Sequence, residues 1–298
     1  MTENKSKFNG IIPAIITPFT ADKKIDEEKF VGNLKFLLDC GVHCILVNGS
    51  TGMAGALSRE ERKITIKLVL DTVNKKVPVI AGTGSASTRE TIEFSKDAQE
   101  MGADAILVIT PFNLIPTKKG LIDHYKAINE AVSIPIILYN LPQHTGVDIT
   151  VDELKELCKL NNVAGLKDSS GDISRFAEIV RLFGDRISVL NGGDDQILPA
   201  LAVGANGMIL ALGNIVPKQL VAIYNNMQEG KLTEARNIFH EILPIAGAIS
   251  ASENFPSQVY EAVSQLGRGS IYVREPIVPQ TKEEKEIITQ ALKHGGLL

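Results

Sequence analysis

Eight short apolar runs, set apart by longer amphipathic stretches, constrain the fold of this chain more than any other feature. They cover residues 10–17 (GIIPAIIT), 43–48 (HCILVN), 77–82 (VPVIAG) and 104–110 (DAILVIT), then 134–140 (IPIILYN), 163–167 (VAGLK), 187–191 (ISVLN) and 207–212 (GMILAL). Each is apolar almost throughout instead of alternating, the pattern of a parallel strand buried on both faces.

The stretches between them have helical spacing. Residues 27–39 carry Phe30, Leu34, Leu37 and Leu38 three and four positions apart. Residues 58–74 open on Ser58-x-x-Glu61, a capping box, and residues 88–101 open on Thr88 as a cap, with Ile92, Ala98 and Met101 for an inner face. Residues 118–132, 151–160, 173–183, 195–203 and 218–229 complete the set. Eight strands alternating with eight helices predict an α/β fold, a (β/α)₈ barrel. A doubly wound open sheet is the rival, and the lack of any composition break along eight units favours closure. Three more helical stretches follow, at 232–249, 256–266 and 282–293. The expected division is a catalytic barrel over residues 1–230 and a three-helix C-terminal extension over 231–298.

Composition narrows the classes of partner. Lys and Arg number 31 against 35 Asp and Glu, a net charge of −4, so nothing draws the chain to nucleic acid or an anionic membrane. No apolar stretch approaches the ~20 residues of a membrane span. The opening MTENKSKFNG has no apolar signal region, so a soluble, cytoplasmic protein is expected. Three cysteines, Cys40, Cys44 and Cys158, form neither a disulfide framework nor a zinc-finger spacing.

In such a barrel the reactive groups sit at the C-terminal ends of the strands. The sixth run ends in Lys167, the fifth in Tyr139-Asn140, and the second leads into Asn48-Gly49-Ser50-Thr51-Gly52. A lysine that forms a Schiff base must attack as the neutral amine, and burial disfavours the ammonium form. The plainer alternative pairs Lys167 with a carboxylate such as Asp168. Tyr139 ends an aliphatic strand and can relay protons at the same mouth, or simply pack at the core rim. Ser50 and Thr51 offer two hydroxyls and backbone N–H groups suited to a carboxylate, against an ordinary glycine-bounded turn. Together on neighbouring strand ends, the three features weigh more than any one.

Other candidates are weaker. Gly82-Thr83-Gly84 lacks the third glycine and the ribose-binding acid of a dinucleotide site. Asp194-Asp195 can bind a metal but reads more plainly as the cap of the following helix. Of His43, His124, His144, His240 and His294, only His144 follows a strand end, so the histidine cluster of a zinc aldolase cannot be assembled. The electrophile is then organic, a lysine imine, with no metal and no other cofactor.

These residues resemble the dihydrodipicolinate synthase / N-acetylneuraminate lyase family of pyruvate-dependent class I aldolases. The resemblance spans essentially the whole chain. It includes Ile16-Thr17-Pro18-Phe19, Gly49-Ser50-Thr51-Gly52, Ala81-Gly82-Thr83-Gly84-Ser85, Tyr139-Asn140-Leu141-Pro142, Gly165-Leu166-Lys167-Asp168 and the closing Lys293-His294-Gly295-Gly296-Leu297-Leu298. It implies that Lys167 forms the imine with pyruvate or a 2-keto acid and that Tyr139 shuttles protons through Thr51. It implies that Ser50 and Thr51 hold the substrate carboxylate, that the backbone at Ile209 lines the pocket, and that the chain forms homotetramers, as dimers of dimers.

Three positions depart from the lysine-pathway synthases. Met53 replaces the acid of GTTGE, His144 replaces an arginine that holds the second substrate's carboxylate, and Asn113, after Phe112, replaces a tyrosine given to the neighbouring subunit. Imidazole holds a carboxylate less firmly than a bidentate guanidinium. The stretch from Val47 to Ser58 looks more like archaeal 2-keto-3-deoxygluconate aldolases, and Asn113, Gln143 and His144 offer hydrogen bonds to a hydroxylated tail. The leading expectation is therefore cleavage of a 2-keto-3-deoxy sugar acid to pyruvate and an aldehyde. Within the same chemistry the alternative is 4-hydroxy-tetrahydrodipicolinate synthase, condensing pyruvate with aspartate semialdehyde. A non-catalytic 2-keto-acid-binding regulator is the alternative of another class.

Overall fold

A computed structural model of the protein describes residues 8–251 and 254–298. Residues 1–7 of the expected barrel and 252–253 of the expected extension lie outside the described residues. Eight parallel strands form one sheet: β1 (Gly10–Pro13), β2 (Ile45–Val47), β3 (Val79–Gly82), β4 (Ala105–Ile109), β5 (Ile136–Asn140), β6 (Val163–Asp168), β7 (Ser188–Asn191) and β8 (Gly207–Leu210). The pairing order is β1-β8-β7-β6-β5-β4-β3-β2, and a bridge between Ala14 and Leu46 brings the two ends of the sheet together. This is the (β/α)₈ barrel expected from the eight runs.

The helices are α1 (Glu27–Asp39), α2 (Arg59–Val73), α3 (Thr88–Met101), α4 (Lys118–Ala131), a single turn α5 (Pro142–Thr145), α6 (Val151–Leu157), α7 (Ile173–Phe183), α8 (Ile197–Ala202) and α9 (Pro217–Gln228). After them come α10 (Leu232–Ser250), α11 (Ser257–Gln265) and α12 (Lys282–His294). None among the described residues is long and apolar enough to cross a membrane.

Alternation along the strands divides the core into two layers. Ile12, Cys44, Leu46, Ile80, Leu107, Ile137, Leu190 and Ile209 fill the barrel interior. Ile11, Ile45, Ala81, Ile106, Leu138, Leu166, Val189 and Met208 face outward and pack with Phe30, Leu34 and Leu37 of α1 and the other helices. Both faces are buried, which is why the strands read as unbroken apolar runs.

Several boundaries differ from the sequence reading for identifiable reasons. The third and fifth strands begin just after Pro78 and Pro135, which lack the N–H a ladder needs; their carbonyls still accept from Ile45 and Ile106. Ser58 and Glu61 form the expected capping box. The cap of α3 is Ser87, not Thr88, and accepts from the Glu90 N–H at 3.2 Å. That helix buries Thr91, Ser95, Asp97 and Ala98, while Ile92 and Met101 are only partly buried. Its inner face is partly polar because the Ser95 hydroxyl donates to the Thr91 carbonyl of its own helix and is hydrogen-bonded to the Thr83 hydroxyl on the loop after β3.

Candidate active site

The C-terminal ends of the strands open onto a cavity of about 490 Å³, lined among others by Ser50, Thr51, Tyr139, His144, Lys167, Asp194 and Ile209. Tyr139 and Lys167 are register partners on β5 and β6, so alternation sends both side chains inward. The Lys167 nitrogen lies 4.1 Å from the centroid of the Tyr139 ring, and the lysine is only 7% exposed. Gly192, at the end of β7, makes room for it. A Cβ there would lie 2.6 Å from Cε of Lys167 and 2.0 Å from Oγ of Ser169.

Asp168 does not pair with Lys167. It follows the lysine on the strand and therefore points out of the barrel, as Asn140 does after Tyr139. There its carboxylate accepts from Asn140 at 2.8 Å, Arg175 at 2.7 Å and Ser170 at 2.7 Å. Asn140 also donates to Asp148 at 2.9 Å. The outer cluster neutralises Asp168 and ties the two strands together immediately beyond the lysine and the tyrosine.

The loop after β2 is shaped by backbone bonds. Gly52 and Ala54 donate to the Gly49 carbonyl, and Met53, in the left-handed region at φ 54°, donates to the Ser50 carbonyl. Among the described residues, the N–H groups of Ser50 and Thr51 have no partner. Two adjacent free donors at a cavity wall form a concavity for an anion. Asn48, also left-handed, fastens this loop to α2 through the Arg62 carbonyl at 3.0 Å and the Thr65 hydroxyl at 2.7 Å. No hydrogen bond joins Thr51 to Tyr139 among the described residues, so the expected relay is not preformed.

Asp194 departs from its expected role as a helix cap. The N-cap of α8 is Gln196, whose side chain makes no capping bond, and Asp194 instead accepts from the Leu212 N–H beyond β8 at 2.9 Å. Burial pushes its carboxyl up to about 6, against the opposing pull of the Leu212 N–H and the nearby Lys167 charge.

His144, on α5, lines the cavity as expected from its place beyond β5. Gln143 lines it too, but its amide donates to the Ser169 carbonyl at 2.7 Å, so it bridges two loops. Asn113 does not line this cavity of its own chain: Phe112 does, the backbone turns at Asn113 with φ 68°, and Asn113 lines a separate surface hollow with Leu114, Ile115 and His124. Gly82 and Gly84 serve close packing: a Cβ would lie 2.1 Å from the Asn48 carbonyl and 2.6 Å from Ile109, respectively. Sequence reasoning missed Ser169 and Gly192. Ser169 was within reach of it, because it stands two positions after the lysine and so shares its face.

The chain matches the model of the dihydrodipicolinate synthetase family over residues 7–295. It is 39% identical over 287 residues to 4-hydroxy-tetrahydrodipicolinate synthase of Clostridium novyi, covering 96% of each chain. It is 40% identical over 294 residues to the enzyme of that name from Methanopyrus kandleri, covering 98% of each. Among solved structures, the chloride-inhibited dihydrodipicolinate synthase of Acinetobacter baumannii complexed with pyruvate superposes with a TM-score of 0.95 at 34% identity, over 97% of this chain and 99% of that one.

Proposed function

The chain belongs to the dihydrodipicolinate synthetase family, and from that premise we propose how its cavity works as the site of a pyruvate-dependent class I aldolase. Lys167 adds to the C2 ketone of pyruvate and loses water to form an imine. The imine is the electron sink, so this chemistry runs without an external cofactor. Loss of a C3 proton gives the enamine, whose C3 attacks an aldehyde carbon; hydrolysis of the new imine then releases product and lysine. Tyr139 moves the protons, with Thr51 joining it once substrate is bound. Ser50 and Thr51 hold the 2-keto-acid carboxylate, with Ile209 behind it. One observation carries this reading: a buried lysine with no carboxylate on it among the described residues, its nitrogen 4.1 Å from a tyrosine ring in the same cavity.

Two readings of the aldehyde rest on different observations. The relatives' names favour condensation with aspartate semialdehyde, the alternative in the sequence analysis, over its leading sugar-acid reading. The cavity lining supports a neutral, hydroxylated aldehyde as the second reading. Among the described residues Lys167 is its only Lys or Arg, and His144 stands where an arginine is expected for the semialdehyde's carboxylate. Around this chemistry we further propose a cytoplasmic homotetramer built from a catalytic barrel and a C-terminal extension.

Borohydride reduction in the presence of pyruvate should attach the three-carbon adduct to Lys167 in peptide mass mapping. Lys167→Ala should abolish the adduct, and a label on another residue refutes the assignment. Tyr139→Phe should still trap pyruvate but turn over about 10²- to 10⁴-fold more slowly. Side-by-side turnover of aspartate semialdehyde with pyruvate and of 2-keto-3-deoxygluconate ranks the two readings.

A further inference from the structure

A strand that leaves a barrel loses its ladder partners, and its buried N–H and C=O groups must find others. Residues 14–19 face this problem. After β1 ends at Pro13, Ala14, Ile15, Ile16, Thr17 and Phe19 all remain buried. The Ala14 and Ile15 N–H groups still donate to the Leu210 and Leu46 carbonyls, both at 2.9 Å, and beyond them side chains far along the chain supply partners. Asn214 accepts from the Ile16 N–H at 3.1 Å and donates to the Ala14 carbonyl at 2.8 Å. The Tyr260 hydroxyl, on α11, accepts from the Thr17 N–H and donates to the Thr17 carbonyl, both at 3.0 Å. Ser270 does the same for Phe19 at 3.1 and 2.7 Å.

This segment in turn holds the loop after β2. Thr17 Oγ1 donates to the Gly52 carbonyl at 2.8 Å. The contact is close: a Cβ on Gly52 would lie 2.8 Å from the Ile15 carbonyl. On the far side of the loop, Arg274 donates to the Ala56 carbonyl at 2.9 Å. The peptide carrying the free N–H groups of Ser50 and Thr51 is thus suspended between two contacts that trace back to α11 and to the segment between α11 and α12.

We infer that Thr17 and Tyr260 are positioning residues: through the Gly52 carbonyl they hold the Ser50–Thr51 donor pair where a 2-keto acid's carboxylate must sit while its ketone meets Lys167. The inference rests on the proposed carboxylate role of that pair. It assigns the C-terminal extension a part in substrate binding, although none of its helices carries the lysine or the tyrosine. Losing the Thr17 hydroxyl leaves the Gly52 carbonyl without its donor, and the turn relaxes away from the geometry the anion needs. Carboxylate affinity should fall, whereas the imine step, which belongs to β5 and β6, should not.

The test is borohydride trapping across a pyruvate titration, which needs no knowledge of the aldehyde. Thr17→Val should raise the half-saturating pyruvate concentration roughly three- to ten-fold, the scale of one lost hydrogen bond, with the maximal trapping rate held within about two-fold. Thr17→Ser should restore the original value, and Tyr260→Phe should move it in the same direction as Thr17→Val. If Thr17→Val does not fold, Tyr260→Phe decides on the same criterion. Lowered melting temperatures with an unchanged half-saturation mean a merely structural clamp and overturn the inference. The benchmark is methyl pyruvate, which keeps the ketone and lacks the carboxylate. If it is trapped at the same half-saturating concentration as pyruvate, the carboxylate reading itself fails; if pyruvate is preferred and the Thr17 and Tyr260 variants leave that preference unchanged, only the positioning inference fails.

Discussion

Asp194 shows how one side chain on the cavity wall can weigh against the fold. Burial disfavours the charged form and pushes its carboxyl up to about 6 from an ordinary 3.8. Between those values the folded state binds a proton that the unfolded state does not. Stability therefore falls as pH rises from about 4 to about 6, and the deficit is fully present above that. Asparagine keeps the acceptor for the Leu212 N–H and removes the charge. Asp194→Asn should raise stability at pH 7.5 by about 1–3 kcal/mol and flatten the pH dependence across this window. Urea denaturation at pH 4.5 and 7.5 reads both, and an equal gain at both values would mean that Asp194 is not the titrating group.

Among the elements, α2 illustrates an end secured from a distance. Glu61, third in that helix, completes the capping box and receives two hydrogen bonds from Arg274, at 2.8 and 2.6 Å. The guanidinium holds the Glu61 carboxyl down to about 2, below its ordinary 4.5. A depressed carboxyl stabilises the fold above its unfolded value, and that contribution is lost as pH falls through about 2. Arg274→Met should cost about 1–3 kcal/mol at pH 7 by chemical denaturation, a difference that shrinks as the pH is lowered from 4.5 toward 2. A gap that stays constant over that range would place the cost elsewhere. The capping box itself was legible, being local, whereas Arg274 lies 213 positions away and leaves no local signal. The same distinction runs through the molecule. Strand cores are plain in the sequence because both faces are apolar, and Lys167 and Tyr139 stand out against those runs. Where β1 ends is not legible, because Asn214, Tyr260 and Ser270 decide it. Asp194 looks like a helix cap by spacing, and its bond to Leu212 exists only once β7 and β8 lie side by side.

At the scale of the whole molecule, the lysine, the tyrosine and the Ser50–Thr51 turn all line one cavity of one chain, so the proposed imine step calls on no residue of a second copy. Assembly has a different signature. On the loop between β4 and α4, Leu114 is 65% exposed and Ile115 60%, with Phe112 beside them half-exposed, an apolar cluster of the kind that marks an interaction surface. A net charge of −4 is too small to keep copies apart. If the proposed tetramer closes through this loop, a double substitution Leu114→Asp and Ile115→Asp should shift the sedimenting species to a smaller oligomer. Its melting should change little beyond what dissociation explains, since neither side chain belongs to the core. The dissociated variant should still trap pyruvate on Lys167, because nothing in that step crosses between chains. A wild-type chain that sediments as a monomer would remove the tetramer, and loss of trapping on dissociation would show that the imine site is completed by a partner.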